Sequence, residues 1–350
     1  MASTSSAPTS SQDLIWTGSY TADAGGSGLG IGAVSAAPDG TLRWLGVAAE
    51  AQSPSFLAVH PWLPVVYAVG EKAQIVRTYR RSGAFSLEAA GPAWPAGKAA
   101  CHVAVDPSGR FLVVACWGDG QVLLYELDDD GEIAARFPAA PARDPHDAGR
   151  TSRAHASLML TDGRVMTTDL GHDLLRIWNF HPGRGLDLDH EVVLPRGSGP
   201  RHLVQHPSGS VFVVTEYSIE VAVAQPSADA GTFRLAFLGP ATKGGGRPGD
   251  AAAEIALGAG GRHAYVGVRG TNRISVLKVE PEGASLAPLA DVPSGGDWPR
   301  HHLVRNGWLY VAHERSGEVL TYPLDAASGM PGERAGRLQL DSPTALAAAR

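Results

Sequence analysis

Residues 199–216, GPRHLVQHPSGSVFVVTE, contain an apolar strand, a tight turn and a second apolar strand that ends on a carboxylate. The turn at residues 206–209 is His-Pro-Ser-Gly, and these residue types favour tight turns. Residues 211–214 are β-branched or aromatic, which is typical of a β-strand. Because the same order recurs along the chain, the sequence predicts an internal β repeat.

Similar turns occur at residues 60–61, 106–109, 161–163, 258–261 and 306–307. One residue near the start of each first strand marks the period, and the seven markers are Phe56, His102, His155, His202, Glu254, His301 and Thr344. Successive markers are 43 to 53 residues apart, and four short strands in about 40–50 residues are typical of a propeller blade. No 3.6-residue apolar period is long enough to predict a helix. The sequence therefore predicts an all-β, seven-bladed β-propeller.

The two ends of the chain are predicted to share the closing blade. Residues 342–347 supply only a first strand, while residues 14–18, 29–35 and 42–48 supply three strands that lack a partner. Closure of the ring removes the free sheet edges that favour aggregation. We therefore expect one propeller domain over residues 13–350, with a pair of unrelated β-sandwiches as the alternative.

The composition limits the classes of function. The chain has 350 residues with a net charge of −6 and no basic block, which argues against binding to nucleic acid or an anionic membrane. No apolar run approaches the ~18 residues of a membrane span. With two cysteines, a disulfide scaffold and a four-cysteine metal site are excluded. Residues 1–12 are small and polar, so we predict a disordered leader and a cytoplasmic protein, either a monomer or a small homo-oligomer.

Strand direction predicts which residues meet. First strands begin on one face of the propeller, called face one here, and second strands end there. Second strands end at Tyr20, Glu71, Trp117, Asp169, Glu216, Arg269 and Glu314. First strands begin near Arg153, His155, Arg201, His202, Glu254, Arg300 and His301. This ring predicts a polar, concave site for a small anionic or polyhydroxylated ligand, although each residue taken singly could merely solvate a wet channel.

Several motifs resemble the lactonase family of seven-bladed propellers, which includes bacterial 6-phosphogluconolactonases and fungal 3-carboxy-cis,cis-muconate lactonizing enzymes. The most specific are Gly-Pro-Arg-His at residues 199–202 and Ala-His-Ala-Ser at residues 154–157. Others are Asp-Leu-Gly at residues 169–171 and Arg-Gly at residues 269–270, so the resemblance spans nearly the whole chain. It departs from the family at residues 152–153, where Pro-His is frequent, and at Thr215 and Tyr217, where Asn and Leu are frequent.

The resemblance implies a lactonase with four catalytic residues: His155, Arg201, Glu216 and Arg269. The two arginines would bind the carbonyl oxygen or a substrate carboxylate. His155 would move protons, and Glu216 would either activate water or orient His155. The remaining ring residues are predicted to bind substrate; they are His202, Glu254, Arg300, His301, Asp169, Trp117, Glu71 and Glu314.

Two other functions remain open: a cycloisomerase acting on an unsaturated carboxylate, and a propeller that binds a small molecule without catalysis. We predict no cofactor. A calcium site could be built from Glu71, Asp169 and Glu254, but Arg201 and Arg269 would place positive charge in the same rim, so no metal is predicted. Cys101 and Cys116 are expected to be buried rather than nucleophilic.

Overall fold

A computed structural model describes residues 14–227 and 231–349. The predicted leader at residues 1–12 lies outside this part of the chain. The described residues form seven four-stranded antiparallel sheets. The predicted all-β, seven-bladed propeller is therefore confirmed.

The first fifteen strands are β1 (Leu14–Ser19), β2 (Gly30–Ala36), β3 (Leu42–Glu50), β4 (Leu57–Val59), β5 (Val65–Gly70), β6 (Ile75–Arg81), β7 (Leu87–Pro95), β8 (Ala100–Val105), β9 (Phe111–Cys116), β10 (Val122–Leu127), β11 (Ile133–Pro138), β12 (Ala154–Met159), β13 (Val165–Asp169), β14 (Leu174–His181) and β15 (Gly185–Val193). The others are β16 (Pro200–Gln205), β17 (Val211–Thr215), β18 (Glu220–Pro226), β19 (Phe233–Pro240), β20 (Ala251–Leu257), β21 (His263–Arg269), β22 (Arg273–Val279), β23 (Leu286–Pro293), β24 (Pro299–Arg305), β25 (Trp308–His313), β26 (Glu318–Pro323), β27 (Gly336–Gln339) and β28 (Pro343–Ala348). Short 3₁₀ turns occur at Ala22–Ala24, Ala259–Gly261 and Pro281–Gly283.

Blades are numbered 1 to 6 from the sheet that begins with β4 to the sheet that begins with β24, and blade 7 has the strand order β28-β1-β2-β3. The first strands of neighbouring blades pack together around the central axis. In blade 7, Ile15 pairs with Ala348, and the Ala349 amide donates to the Leu14 carbonyl at 2.9 Å. Both ends of the chain therefore build the closing blade, as predicted.

The core lies between the blades. In β17, Val211 and Val213 pack against blade 3, whereas Phe212 and Val214 pack against blade 5. Alternation along a strand places successive side chains on opposite faces, and both faces of a blade are covered. Within the described residues there is one buried apolar cluster at each of the seven blade junctions. Full burial of one valine, leucine, isoleucine or phenylalanine side chain contributes about 1.5–3 kcal/mol to the free energy of folding.

The first strands are irregular at their face-one ends. The register shifts there in β8, β12, β16, β20, β24 and β28. An extra residue in a bulge re-aims the side chains beside it.

The observed strand pairing differs from the alignment of the seven marker residues in one blade. Ala154, Pro200 and Pro299 each pair with the last residue of their second strand. His155 therefore occupies the position of Arg201 and of Arg300, not that of His202 and His301 as the markers implied.

Long face-one loops between blades are held by ion pairs that are buried or half-buried. Arg150 Nη2 lies 2.7 Å from Asp144, and the same guanidinium contacts Asp173. Arg273 Nη2 lies 2.7 Å from Asp250 in the loop before β20. The described chain holds no helix with the length and apolar character needed to cross a membrane.

Candidate active site

Two arginines converge on one carboxylate at the face-one opening of the channel. Arg201 comes from the first strand of blade 4, Glu216 directly follows the second strand of blade 4, and Arg269 ends the second strand of blade 5. Glu216 Oε2 lies 3.0 Å from Arg201 Nε and 2.9 Å from Arg269 Nη2. The Arg201 Nε–H is not directed at this oxygen, so that contact is electrostatic. The carboxylate is the most exposed member, at 19%, and faces the opening.

The remaining donors of the arginines are partly fixed by backbone carbonyls. Arg201 Nη1 donates to the Ala253 carbonyl at 2.6 Å. Arg269 Nε and Nη2 donate to the Ala251 and Ala252 carbonyls, each at 3.1 Å. Burial lowers the pKa of Arg201 to about 10, and it also lowers the pKa of Arg269. Both side chains remain cationic at neutral pH and are held rigidly.

Histidines fill the channel beneath this cluster. The His202 ring centroid lies 5.2 Å from that of His155 and 5.3 Å from that of His102. Phe56 closes the axis, with its centroid 4.2 Å from that of His102 and 5.5 Å from that of His301. These aromatic rings therefore pack against one another close to the channel axis.

Glu254 lies within this layer of histidines. Its Oε2 is 2.6 Å from His202 Nδ1 and 3.3 Å from His301 Nε2, while Oε1 accepts a hydrogen bond from the Ile255 amide at 3.1 Å. Oε2 makes no hydrogen bond within the described residues, so both are close contacts only, and this carboxylate lies deeper than Glu216.

Burial keeps the histidines neutral. It is the main cause that lowers the pKa of His155, His102 and His202 well below the usual range, and Arg201 adds to the effect. The buried Nδ1 of His155 makes no hydrogen bond within the described residues. His155 also lines a cavity of about 10 Å³ beside Arg201, which is about the smallest space that holds one water.

A second ionic cluster lies beside the first. Arg300 Nη1 donates to Glu314 at 3.1 Å, and its Nη2 donates to the Tyr20 hydroxyl at 2.6 Å. The Tyr20 hydroxyl is also 3.1 and 3.2 Å from the two oxygens of Glu71. Burial raises the pKa of Tyr20, so it remains a phenol.

Asp169 and Trp117, which are also predicted to bind substrate, differ in how accessible they are. Asp169 is 2% exposed, and its Oδ1 accepts hydrogen bonds from the amides of Arg153, Gly171 and His172 at 2.9–3.1 Å. It stabilises a loop and has little capacity left for substrate. Trp117 is 38% exposed and lies beneath the Arg153 guanidinium at 3.8 Å from the ring centroid.

The sequence predicts no functional role for Tyr20, Phe56 or Arg153, although each belongs to the ring of blade markers or strand ends. The only available signal was that position. No residue type at these three places marks a site by itself.

Three other features were candidates for a site: a surface groove, a metal site and the two cysteines. A groove of about 660 Å³ lies between blades 7 and 1, lined in part by Leu29, Val47 and Arg77. Within residues 14–227 and 231–349, no three His, Cys, Asp or Glu side chains are grouped so as to hold a metal ion. Burial raises the pKa of Cys116 to about 12 and also raises that of Cys101, so both are unreactive thiols.

Comparison with known proteins identifies relatives along nearly the whole chain. The model of the family described as "Lactonase, 7-bladed beta-propeller" matches residues 14–348. A 6-phosphogluconolactonase of Bacillus subtilis (strain 168) is 28% identical over 239 residues, which cover 67% of this chain and 68% of that protein.

Solved structures share the fold. The periplasmic gluconolactonase PpgL of Pseudomonas aeruginosa has a TM-score of 0.87 at 23% identity, with coverage of 96% of this chain and 99% of that chain. A protein from Lactobacillus plantarum has a TM-score of 0.86 at 22% identity, with the same coverage of 96% and 99%.

Proposed function

We propose that the chain, which belongs to the lactonase family of seven-bladed β-propellers, hydrolyses a sugar-type lactone such as 6-phosphogluconolactone. The observation that carries the proposal is the convergence of Arg201 and Arg269 on Glu216 near the neutral His155, whose Nδ1 makes no hydrogen bond within the described residues. The activity named for the Bacillus subtilis relative supports the same substrate class.

The arginines bind and polarise the lactone. Hydrolysis places negative charge on the carbonyl oxygen in the tetrahedral intermediate, and fixed guanidinium donors stabilise that charge. Arg201 and Arg269 are pre-organised for this by backbone carbonyls, and Glu216 holds the two like charges together. The lactone lies over the exposed edge of this cluster, on face one.

His155 moves the proton. Its neutral ring lines a cavity large enough for about one water beside Arg201. The ring takes a proton from that water as the hydroxide adds to the carbonyl carbon. When the ring C–O bond breaks, the same proton passes to the leaving alkoxide, so the imidazole is regenerated and the product is the hydroxy acid.

Pairing to arginine gives Glu216 a positioning role in this proposal. One carboxylate oxygen contacts both guanidinium groups. The pocket is completed by the other ring residues, which are Arg300, His202, His301, Glu254, Glu71, Glu314 and Trp117. Asp169 does not contact substrate as predicted, because it accepts hydrogen bonds from loop amides instead. The cytoplasmic location and the monomeric or small oligomeric state stay predictions.

The test is lactone consumption followed by pH-stat, corrected for spontaneous hydrolysis. Substrates are 6-phosphogluconolactone and gluconolactone, and the variants are His155→Gln, Arg201→Ala and Glu216→Gln. Loss of one donor to an oxyanion costs about 10²–10³-fold in rate, and loss of the general base costs about 10²–10⁴-fold. The control is Arg164→Ala, which removes an exposed ion pair to Asp162 outside the site.

A folded wild type that accelerates neither lactone would overturn the proposal. Equal rates for wild type and His155→Gln would refute the role of the histidine alone. An isomer of unchanged mass formed from an unsaturated carboxylic acid would identify the cycloisomerase instead.

A further inference from the structure

An arginine without a carboxylate partner lies at the rim beside the proposed catalytic cluster. The Arg153 guanidinium carbon is 3.8 Å from the centroid of the Trp117 ring. Within the described chain it forms no ion pair, in contrast to Arg201, Arg269 and Arg300, which each contact a glutamate. Arg153 thus adds an uncompensated positive charge to the opening.

The backbone of Arg153 is held by two hydrogen bonds. The Arg153 amide donates to Asp169 Oδ1 at 2.9 Å, and the Arg153 carbonyl accepts from the Leu170 amide at 2.9 Å. Asp169 is itself held by two further amides. Backbone anchoring and the aromatic platform together leave the guanidinium little freedom, which lowers the entropy lost on binding a ligand.

Arg153 is also close to the reacting centre. It lies two residues before His155, which is about 7 Å along an extended chain. Tyr217, 54% exposed, directly follows Glu216 in the chain. A six-carbon lactone spans a comparable distance from its carbonyl to the substituent at its far end.

Stacking determines what the guanidinium can bind. With one face on Trp117, its N–H groups point outward in the plane of the group, in the fork that matches phosphate or carboxylate. Trp117 and Tyr217 are both partly exposed aromatic residues, at 38% and 54%, and can pack against a carbon skeleton.

We infer that Arg153 and Trp117 form an anion subsite that holds a phosphate or carboxylate at the end of the lactone far from the carbonyl. This inference rests on the proposed function, since it assigns the specificity of that same site. Phosphate and carboxylate share this chemistry, and the substrate series below distinguishes them.

The experiment compares kcat/KM for 6-phosphogluconolactone, for a lactone with a terminal carboxylate (glucarolactone) and for neutral gluconolactone. The variants are Arg153→Gln and Arg153→Lys, with Arg315→Gln as the matched control. Arg315 is stacked 3.4 Å from the Trp298 ring centroid and is an exposed residue. Calorimetric titration with 6-phosphogluconate and gluconate gives a second readout that needs no turnover.

We expect Arg153→Gln to lower kcat/KM for an anionic lactone by about 10- to 100-fold, the effect of losing a charged hydrogen bond, with little change for gluconolactone. Arg153→Lys should retain part of the preference, because the charge stays while the fork is lost. The anion whose turnover depends on Arg153 identifies the natural substituent.

Equal losses on charged and neutral lactones would overturn the inference, and so would a selectivity that depends on Arg315 instead. Those results leave the lactonase proposal intact, because gluconolactone turnover reports on it separately. If no lactone is hydrolysed but 6-phosphogluconate binds in an Arg153-dependent manner, the subsite stands and the lactonase proposal fails.

Discussion

Acidification should unfold this propeller through its buried histidines. Five of them have a pKa lowered far below the usual range, chiefly by burial: His102, His155, His202, His301 and His313. Above about pH 6.5 they are neutral in the folded and the unfolded chain and do not affect stability. Below pH 6.5 these histidines bind protons in the unfolded chain but not in the folded chain. The free energy of unfolding therefore falls as the pH falls.

The size of the effect follows from linkage. One unit below its unfolded pKa, each such histidine costs about 1.4 kcal/mol, so five cost about 7 kcal/mol near pH 5.5. The total stability of a domain is about 5–15 kcal/mol. Glu254 opposes part of this loss, since it favours the charged form of His301. The chain should therefore lose about half or more of its stability between pH 7.5 and 5.5.

The assay is urea unfolding at pH 7.5, 6.5 and 5.5, followed by circular dichroism. His102→Asn removes one titrating ring next to Phe56. Its loss of stability between pH 7.5 and 5.5 should be about 1.4 kcal/mol smaller than that of the wild type, whatever its stability at pH 7.5. His181→Gln is the control, because that side chain is 45% exposed.

Equal stability of the wild type at pH 7.5 and 5.5 would refute the reasoning. So would a His102→Asn protein with the same pH dependence as the wild type. Either result would mean that the buried histidines accept protons in the folded state.

Three further outcomes are expected. Activity should stay constant from pH 7.5 down to pH 6, because the lowered pKa of His155 keeps the base neutral there; initial rates that halve near pH 6.5 would indicate an ordinary imidazole. Tyr20→Phe removes the hydroxyl that accepts from Arg300 and should lower stability in urea by about 1–3 kcal/mol; an unchanged midpoint would contradict this. Gly199→Ala should raise KM, because its Cβ would stand 2.6 Å from the Tyr217 ring at a backbone φ of 67°; an unchanged KM would show that this ring does not touch substrate.

The fold was predictable because its signals are local and repeated. Turn residues and short β-branched strands recur at the spacing of a blade, and strand direction alone places Glu216, Arg269 and Glu314 on one face. The position of His155 was predicted one place out of register. Its strand carries a bulge, and the residues in a bulge look like any others in the sequence.

The candidate site was predictable in outline but not in its pairings. Arg201 and Arg300 both precede a histidine, yet only the packed structure shows that one shares a glutamate with Arg269 and the other contacts Tyr20. Asp169 was assigned to substrate because its position matched the ring. Whether a carboxylate is used by loop amides depends on the loop conformation, which side-chain chemistry does not encode.

Closure of the ring by β28 has a consequence for chain connectivity. The Ala349 amide donates to the Leu14 carbonyl, so the seven blades form a closed ring in which no blade is first. A short peptide could therefore connect residue 349 to residue 14. A circular permutant opened between two other blades would keep all seven junctions and the whole face-one cluster. If its urea midpoint matches that of the parent, the position of the chain break is incidental to the architecture, and the break could be placed away from blade 7.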